Sequence, residues 1–412
     1  MVARVTGRRA ILSHTVLVAA ALGVGQVLSY AVSVVAARAL GPEQFGILAA
    51  LLGIILIGSV LALGIQAVAA RRLVHIPEAD RSGSSHEILR QGLVGGVAVA
   101  AATALITPVL MWVLRLDAWL PLLLAALTFI PLTWAGAQYG VAQGRESYRR
   151  LAAIYVAVGV GRGIGGVTGA LLSQSVVGTM LGLTAGTFVG AIVGRWVVAP
   201  LAHAPSLRVE KFFSESAHAT HALLALFVLT NIDVLLARAL LTPFEAGEYG
   251  VGAIIAKVAF WLPQFVGVVL FPRFADQRRA QATVIALAAV GGMGAAVLAV
   301  TAIAPSLVVN FVGGAAYDDL IPIAWMFAAI GALFALAQAL LLTRLAVDDR
   351  RAVFAVWGAA IALVLLAVIV MPRTVAGLAS SALLAGALLT LVGVGVAGAE
   401  LRGARRRSAP TP

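Results

Sequence analysis

Apolar residues run through this chain in long stretches, each close to the roughly 20 residues that a helix needs to cross a bilayer. Twelve such stretches are legible, at 14–37, 46–70, 91–114, 119–142, 151–173, 175–199, 218–240, 249–271, 282–309, 321–345, 352–371 and 375–399. The narrowest interruption is Ser173-Gln174-Ser175, which parts spans 5 and 6. Transmembrane strands would give short alternating segments instead of runs of this length. The pattern predicts an all-α polytopic membrane protein with twelve transmembrane helices. Span 1 follows Arg4, Arg8 and Arg9 and ends in small residues near Ala37, as a signal peptide would. Its apolar run is too long for such a leader, so it reads as a retained first helix.

Composition sharpens this picture. Of 412 residues, 61% are hydrophobic and 11% charged, against about 25% charged in a soluble protein. A soluble enzyme is excluded on that ground. The 29 bases and 17 acids leave a net charge of +12, which in another setting would suggest a nucleic-acid partner. Their placement says otherwise. Assigned to the nearest connection, 23 bases fall in the N-terminus, the even-numbered connections and the C-terminal tail. The odd-numbered connections hold four, and Arg162 and Lys257 lie within spans. By the positive-inside rule both termini are cytoplasmic, and the charge reports topology and affinity for anionic membrane lipids. No nucleic-acid partner is expected.

The connections are short, the longest being 71–90 and 200–217. They leave no room for the catalytic domain of a membrane glycosyltransferase or polymerase, and the chain is predicted not to be an enzyme. No GxxxxGK[ST] phosphate loop is present, which argues against an ATP-driven pump. Gly161-Arg162-Gly163-Ile164-Gly165-Gly166 fits GxGxxG but lies inside span 5 with no strand before it. Close helix packing is the better reading of its glycines. There are no cysteines and no HExxH pair, so no metal and no cofactor are expected.

The chain divides into two six-helix lobes, 1–204 and 205–400, with a basic tail over 401–412. Arg38-Ala39-Leu40 closes span 1 and Arg238-Ala239-Leu240 closes span 7, each before a short turn. Arg149-Arg150 and Arg350-Arg351 follow spans 4 and 10. Matches at equivalent places in the helical order predict a duplication, with the lobes related by a pseudo-two-fold axis along the membrane normal. Arg38-Ala39-Leu40-Gly41-Pro42-Glu43-Gln44-Phe45-Gly46 closely resembles the first external turn of bacterial polysaccharide flippases of the Wzx type. These belong to the multidrug/oligosaccharidyl-lipid/polysaccharide (MOP) exporter superfamily. Asn231-Ile232-Asp233, Glu245-Ala246-Gly247-Glu248-Tyr249-Gly250, Leu270-Phe271-Pro272 and Phe311-Val312-Gly313-Gly314 keep the family's order. The resemblance implies a MATE-like fold around a cavity that opens alternately to either side. It also implies a lipid-linked oligosaccharide on a polyprenyl pyrophosphate as cargo, with glycosyltransferases and a glycan polymerase as partners.

Charged groups at bilayer depth cost about 2.5–3.5 kcal/mol on insertion scales, so they should face the protein interior or water. Arg162, Asp233 and Lys257 are such groups. Counted from the turn near Phe244, Asp233 and Lys257 differ in depth by only about 3 Å. They can form a structural ion pair, or Lys257 can meet a pyrophosphate while Asp233, with Asn231, takes a coupling cation. Lys257, Trp261 and Gln264 share one helical stripe, and Gln26, Tyr30 and Ser33 form another beneath Arg38. The resemblance implies that helices 1 and 7 line the cavity, and that a helix-8 cation such as Lys257 contacts cargo, as in lipid II flippases. Span 1 departs from that pattern, having no base in mid-membrane. The rival functions are a multidrug or cation antiporter of the same superfamily, a major-facilitator transporter and, as an enzyme, a glycan ligase. The first would need an acidic cavity.

Overall fold

The computed structural model describes residues 2–207, 209, 211–274, 279–345 and 351–407, with side chains described outside 2–15, 218–219, 222, 263–284, 286, 342–352 and 396–407. Among the described residues the regular elements are all helical. They are α1 (Val2–Gly58), α2 (Val60–His75), α3 (Glu78–Leu105), α4 (Thr107–Leu114), α5 (Leu120–Gly144), α6 (Tyr148–Ser173), α7 (Val176–Val198) and α8 (Phe212–Leu229). Then follow α9 (Ile232–Leu240), α10 (Pro243–Phe274), α11 (Arg279–Ile303), α12 (Pro305–Val312), α13 (Ala324–Leu345), α14 (Arg351–Leu365) and α15 (Val375–Arg407).

Among the described residues nine helices are long and apolar enough to cross a membrane, or ten if one bent pair is a single span. One tract, Val16–His75, holds predicted spans 1 and 2. The turn between them is a single residue, Gly41, at φ 73° and ψ 171°. That region costs glycine nothing, and Pro42 starts the next helix where its missing N–H is not needed. The split at 173–175 is equally compact. Gln174 takes a left-handed conformation and Ser175 caps α7, its Oγ accepting the Gly178 N–H at 3.1 Å.

Predicted spans 2 and 3 are interrupted at Ser59 and Ile106, and three boundaries differ more widely from the sequence expectation. Residues 78–90 are the first turns of α3 and not a loop, with Glu78 and Asp80 in its first turn favouring the positive helix end. Predicted span 9 stops at Ile303, where the chain bends by 97° into α12 at Pro305. Predicted span 7 breaks at Thr230-Asn231 into α8 and α9.

The chain forms two units, Met1–Phe227 and Val228–Pro412. α8 up to Phe227 stays with the first unit because it is bonded to α2. Arg72 donates to both oxygens of Glu215, at 2.6 and 3.0 Å, and an added Cβ on Gly64 would strike Thr220. The segment joining α7 to α8 is strapped to α3. Ser82 Oγ accepts the N–H groups of His203 and Ala204, both at 3.1 Å, and Leu207 N–H donates to Gly83 O at 3.2 Å. Glu87, on the charged start of α3 ahead of its apolar run, receives Arg90, Gln91 and Ser206. These donors, Arg90 foremost, hold its carboxyl down to about 2.

Glycine sets the packing of the first unit. On α6, Gly161, Gly165 and Gly169 meet the backbone of α7 at Gly186, Gly182 and Gly178 so closely that a Cβ would collide. Gly159, Gly163 and Gly166 face α1 at Gly25, Leu28 and Val32. The GxGxxG run is thus a two-sided packing surface, as small-residue helix interfaces in membranes are. We predict that Gly165→Leu, which must force α6 from α7, lowers stability by about 1–3 kcal/mol. Gly358→Ala, with open space around it, should cost nothing. Thermal unfolding of both variants in detergent checks this, and an unshifted midpoint for Gly165→Leu would refute the packing assignment.

Candidate functional site

Polar side chains on membrane helices are costly unless bonded or wetted, so their groupings mark where chemistry can occur. In the first unit one grouping arises from α2, α5 and α6. Gly136, Gly140 and Gly144 recur every fourth residue along α5, and Cβ atoms there would crowd the α2 backbone at Ala62, Gln66 and Ala70. This close approach brings Gln66 beside the polar edge of α5. Gln66 Nε2 donates to Gln143 Oε1 at 3.0 Å and to Tyr155 Oη at 2.8 Å. The rings of Tyr139 and Tyr155 stack at 4.0 Å with a 23° interplanar angle.

Arg162 lies two turns beyond Tyr155 on α6, half-buried and in electrostatic reach of Tyr139. No carboxylate of the described residues pairs with it. None could from the predicted spans of the first unit, since 14–37, 46–70, 91–114, 119–142, 151–173 and 175–199 contain no Asp or Glu. The result is a track of two amides, two phenols and one guanidinium. It can hydrogen-bond hydroxyls, stack against flat apolar faces and attract an anion.

The α1 stripe is separate in register. Gly25, Leu28 and Val32 face α6, whereas Gln26, Tyr30 and Ser33 fall about a third of a turn away. Gln26 and Tyr30 are half-buried, and Arg38 is exposed near the Gly41 turn.

In the second unit the break at Thr230-Asn231 carries the polar groups. It puts Asp233 in the first turn of α9, where the helix dipole favours negative charge. Asp233 is 4% exposed and Asn231 3%. The Asp233 carboxylate accepts the Tyr249 O–H at 3.0 Å and the Val234 N–H at 2.9 Å. Tyr249 is held edge-on against Phe327, with centroids 5.1 Å apart. Lys257, two turns further along α10, is half-buried and coupled electrostatically to Asp233. Trp261, one turn beyond Lys257, is half-buried and packs edge-on against Phe260. Gln264 is on α10 among the residues whose side chains are not described.

Sequence reasoning singles out Arg162, Asp233 and Lys257, each a rare charge in an apolar run, and does not name the aromatic residues that the structure places near them. Tyr139 and Tyr155 carry no local signal beyond a phenol in an apolar helix, and Tyr249 stands out only as part of the Glu245–Gly250 motif. Tyr139 and Gln143, spaced i and i+4, were the one available hint. Among the described residues, no group of three or more His, Cys, Asp or Glu could hold a metal.

A family model described as polysaccharide biosynthesis protein matches residues 11–278. No curated protein matches the chain. Solved structures do match in fold. An outward-facing multidrug resistance MATE family transporter of the MOP superfamily aligns with TM-score 0.69 at 12% identity, covering 97% of each chain. The lipid II flippase MurJ, in an inward closed conformation, aligns with TM-score 0.71 at 11% identity, over 92% of this chain and 87% of that one. A MOP superfamily transporter from Pyrococcus furiosus, described as having a binding pocket of reverse polarity, aligns with TM-score 0.57 at 14% identity over 94% and 96%. The fold is therefore that of the MOP superfamily.

We predict that Tyr249→Phe destabilises the second unit by about 1–3 kcal/mol, because a buried carboxylate loses a donor. The same change in an Asp233→Ala background should cost close to nothing. A double-mutant cycle on thermal unfolding checks this, and additive effects would dissolve the Asp233–Tyr249 bond.

Proposed function

The chain belongs to the polysaccharide biosynthesis protein family, and from that premise we propose that it flips a lipid-linked oligosaccharide between bilayer leaflets by alternating access. The cargo is a polyprenyl pyrophosphate bearing sugars, moved from the inner to the outer leaflet of the bacterial cytoplasmic membrane for cell-surface polysaccharide. The two predicted lobes, 1–204 and 205–400, form the halves of the transport unit, and both termini face the cytoplasm. No covalent bond is made or broken. The work is differential exposure of one anion-attracting site in two states. Enzymes that build and polymerise the glycan are the natural partners.

The observation that carries this reading is Arg162 without an acid. An uncompensated guanidinium inside an apolar half of the molecule suits a doubly charged pyrophosphate, and Arg matches phosphate geometry with two parallel N–H donors. The stacked phenols of Tyr139 and Tyr155 and the amides of Gln66 and Gln143 suit sugar rings and their hydroxyls. A multidrug antiporter for organic cations needs the opposite sign, which disfavours that alternative. Lys257 offers a second positive charge, with Trp261, Gln264, Gln26, Tyr30 and Arg38 as further cargo contacts. Its coupling to Asp233 gives a route for drive. A proton or sodium ion taken by Asp233, with Asn231 beside it, would release the Lys257 charge toward the anion.

Two outcomes are expected in a flippase-deficient strain. Arg162→Ala should be inserted and abundant yet cut surface polysaccharide at least about tenfold, a loss of one charged contact. Lipid-linked sugar should accumulate, while Arg162→Lys retains part of the activity. Full complementation by Arg162→Ala, or a gain in drug resistance on overexpression of the native chain, would reject the reading. Asp233→Asn should flatten the dependence of surface polysaccharide on external pH or sodium, and an unchanged dependence would remove Asp233 from coupling.

A further inference from the structure

A cavity of about 570 Å³ opens in the first unit, between the start of α3 and the start of α8. It shares no lining residue with the polar track around Arg162 and is independent of the transport reading. Its walls change character along one direction. Arg90 and Lys211 stand on the charged side, and Val94 and Phe213 on the apolar side. Residues 92–102, just after Arg90 and Gln91, are an unbroken apolar run. Val94 is 49% exposed and Phe213 39%. Phe213 is held in place by Gly95, whose added Cβ would come within 2.7 Å of its ring.

The charges do not cancel. Glu87 is the acid in the wall, and three donors already occupy it: Arg90 through two nitrogens, Gln91 and Ser206. Arg90 keeps its remaining nitrogen outside that bidentate pair and is 61% exposed. Lys211 is exposed, with no carboxylate at ion-pair distance among the described residues. Its carbonyl accepts the Glu215 N–H at 3.1 Å and so opens α8. The N–H groups of Phe212, Phe213 and Ser214 therefore begin a helix, where no earlier carbonyl of that helix can take them. All three residues line the cavity. The first N–H groups of a helix, its dipole, a lysine and an arginine border one space, together with apolar side chains.

We propose that this cavity binds the phosphate of an anionic phospholipid, with the acyl chains lying along Val94 and Phe213. Charge complementarity selects the headgroup. Among the described residues the site has surplus positive charge, and Glu87 is already engaged by three residues, so a choline group finds no open counter-ion among them. The apolar wall selects a lipid over a free phosphate. A bound lipid would bridge α3 and α8 across the strap, joining two segments that meet there through few polar contacts.

The test uses the full chain purified in detergent. Short-chain phosphatidylglycerol, short-chain phosphatidylcholine and inorganic phosphate are each titrated while the thermal unfolding midpoint is read. Phosphatidylglycerol should raise the midpoint saturably. Lys211→Ala, at an exposed position that no fold contact needs, should weaken the apparent affinity about fivefold, as one surface lysine does at an anionic membrane. Arg149→Ala, another exposed base, should leave the affinity unchanged, which separates this site from general attraction to a +12 chain. Equal affinity in Lys211→Ala and the native chain would overturn the site. Stabilisation by phosphatidylcholine equal to that by phosphatidylglycerol would overturn the charge selection. Stabilisation by inorganic phosphate at the same concentrations would overturn the lipid assignment.

Discussion

Everything in this molecule answers to one constraint: hydrocarbon offers no hydrogen bonds. Each polar group in an apolar run must be satisfied from within or must reach water. Threonines meet the demand locally. Thr103, Thr179, Thr187 and Thr301 donate back to the carbonyl four residues earlier. Other groups meet it across helices. Thr128 and Thr184 share the Leu124 carbonyl between α5 and α7, and Gln138 Nε2 donates to Ala191 O at 3.0 Å. Against that background a group satisfied by neither route is informative, and among the described residues Arg162 is such a group.

Helix association follows from the same constraint. Lipid is as apolar as a leucine face, so burying leucine against leucine gains little in a bilayer. Close backbone approach supplies van der Waals contact instead, and only glycine permits it. α6 shows the consequence twice, with one glycine face for α7 and another for α1. Arg162 occupies the register between those faces. The tight packing that buries both sides of α6 thereby leaves one narrow strip where a long side chain fits. α5 repeats the device against α2, and that approach is what brings Gln66 to Gln143 and Tyr155.

Much of this was legible in the sequence, for reasons that also explain what was not. Hydropathy reads each helix alone, so the long runs, the Gly41 turn and the Ser173–Ser175 split are visible along the chain. The GxGxxG run inside span 5 could be identified as packing because its context had no strand. Breaks inside an apolar run leave hydropathy almost untouched. The interruption at Thr230-Asn231 and the bend at Ala304-Pro305 were therefore read through as continuous helix. Residues 78–90 failed in the opposite sense, because charge density suggested a loop where a charged helix stands. The aromatic track needed three helices at once. Gln66 and Tyr155 lie 89 residues apart, a pairing that no local pattern encodes.

The two units answer the cost of intramembrane charge differently. In the first, Arg162 stands in spans without any acid. In the second, Asp233 has a phenol, a backbone N–H and the field of Lys257 around it. A single unpaired cation has one charge state at every physiological pH, since a guanidinium does not deprotonate there. It can hold an anion, but it cannot by itself sense a cation or a proton. A carboxylate beside an ammonium can change its net charge, because adding a cation to the acid unmasks the base. The break between α8 and α9 frees backbone groups and a positive helix end at Asp233, where an unbroken helix would offer none. On the proposed transport reading, permanent charge on one unit and adjustable charge on the other would be the electrostatic parts for binding an anion and releasing it.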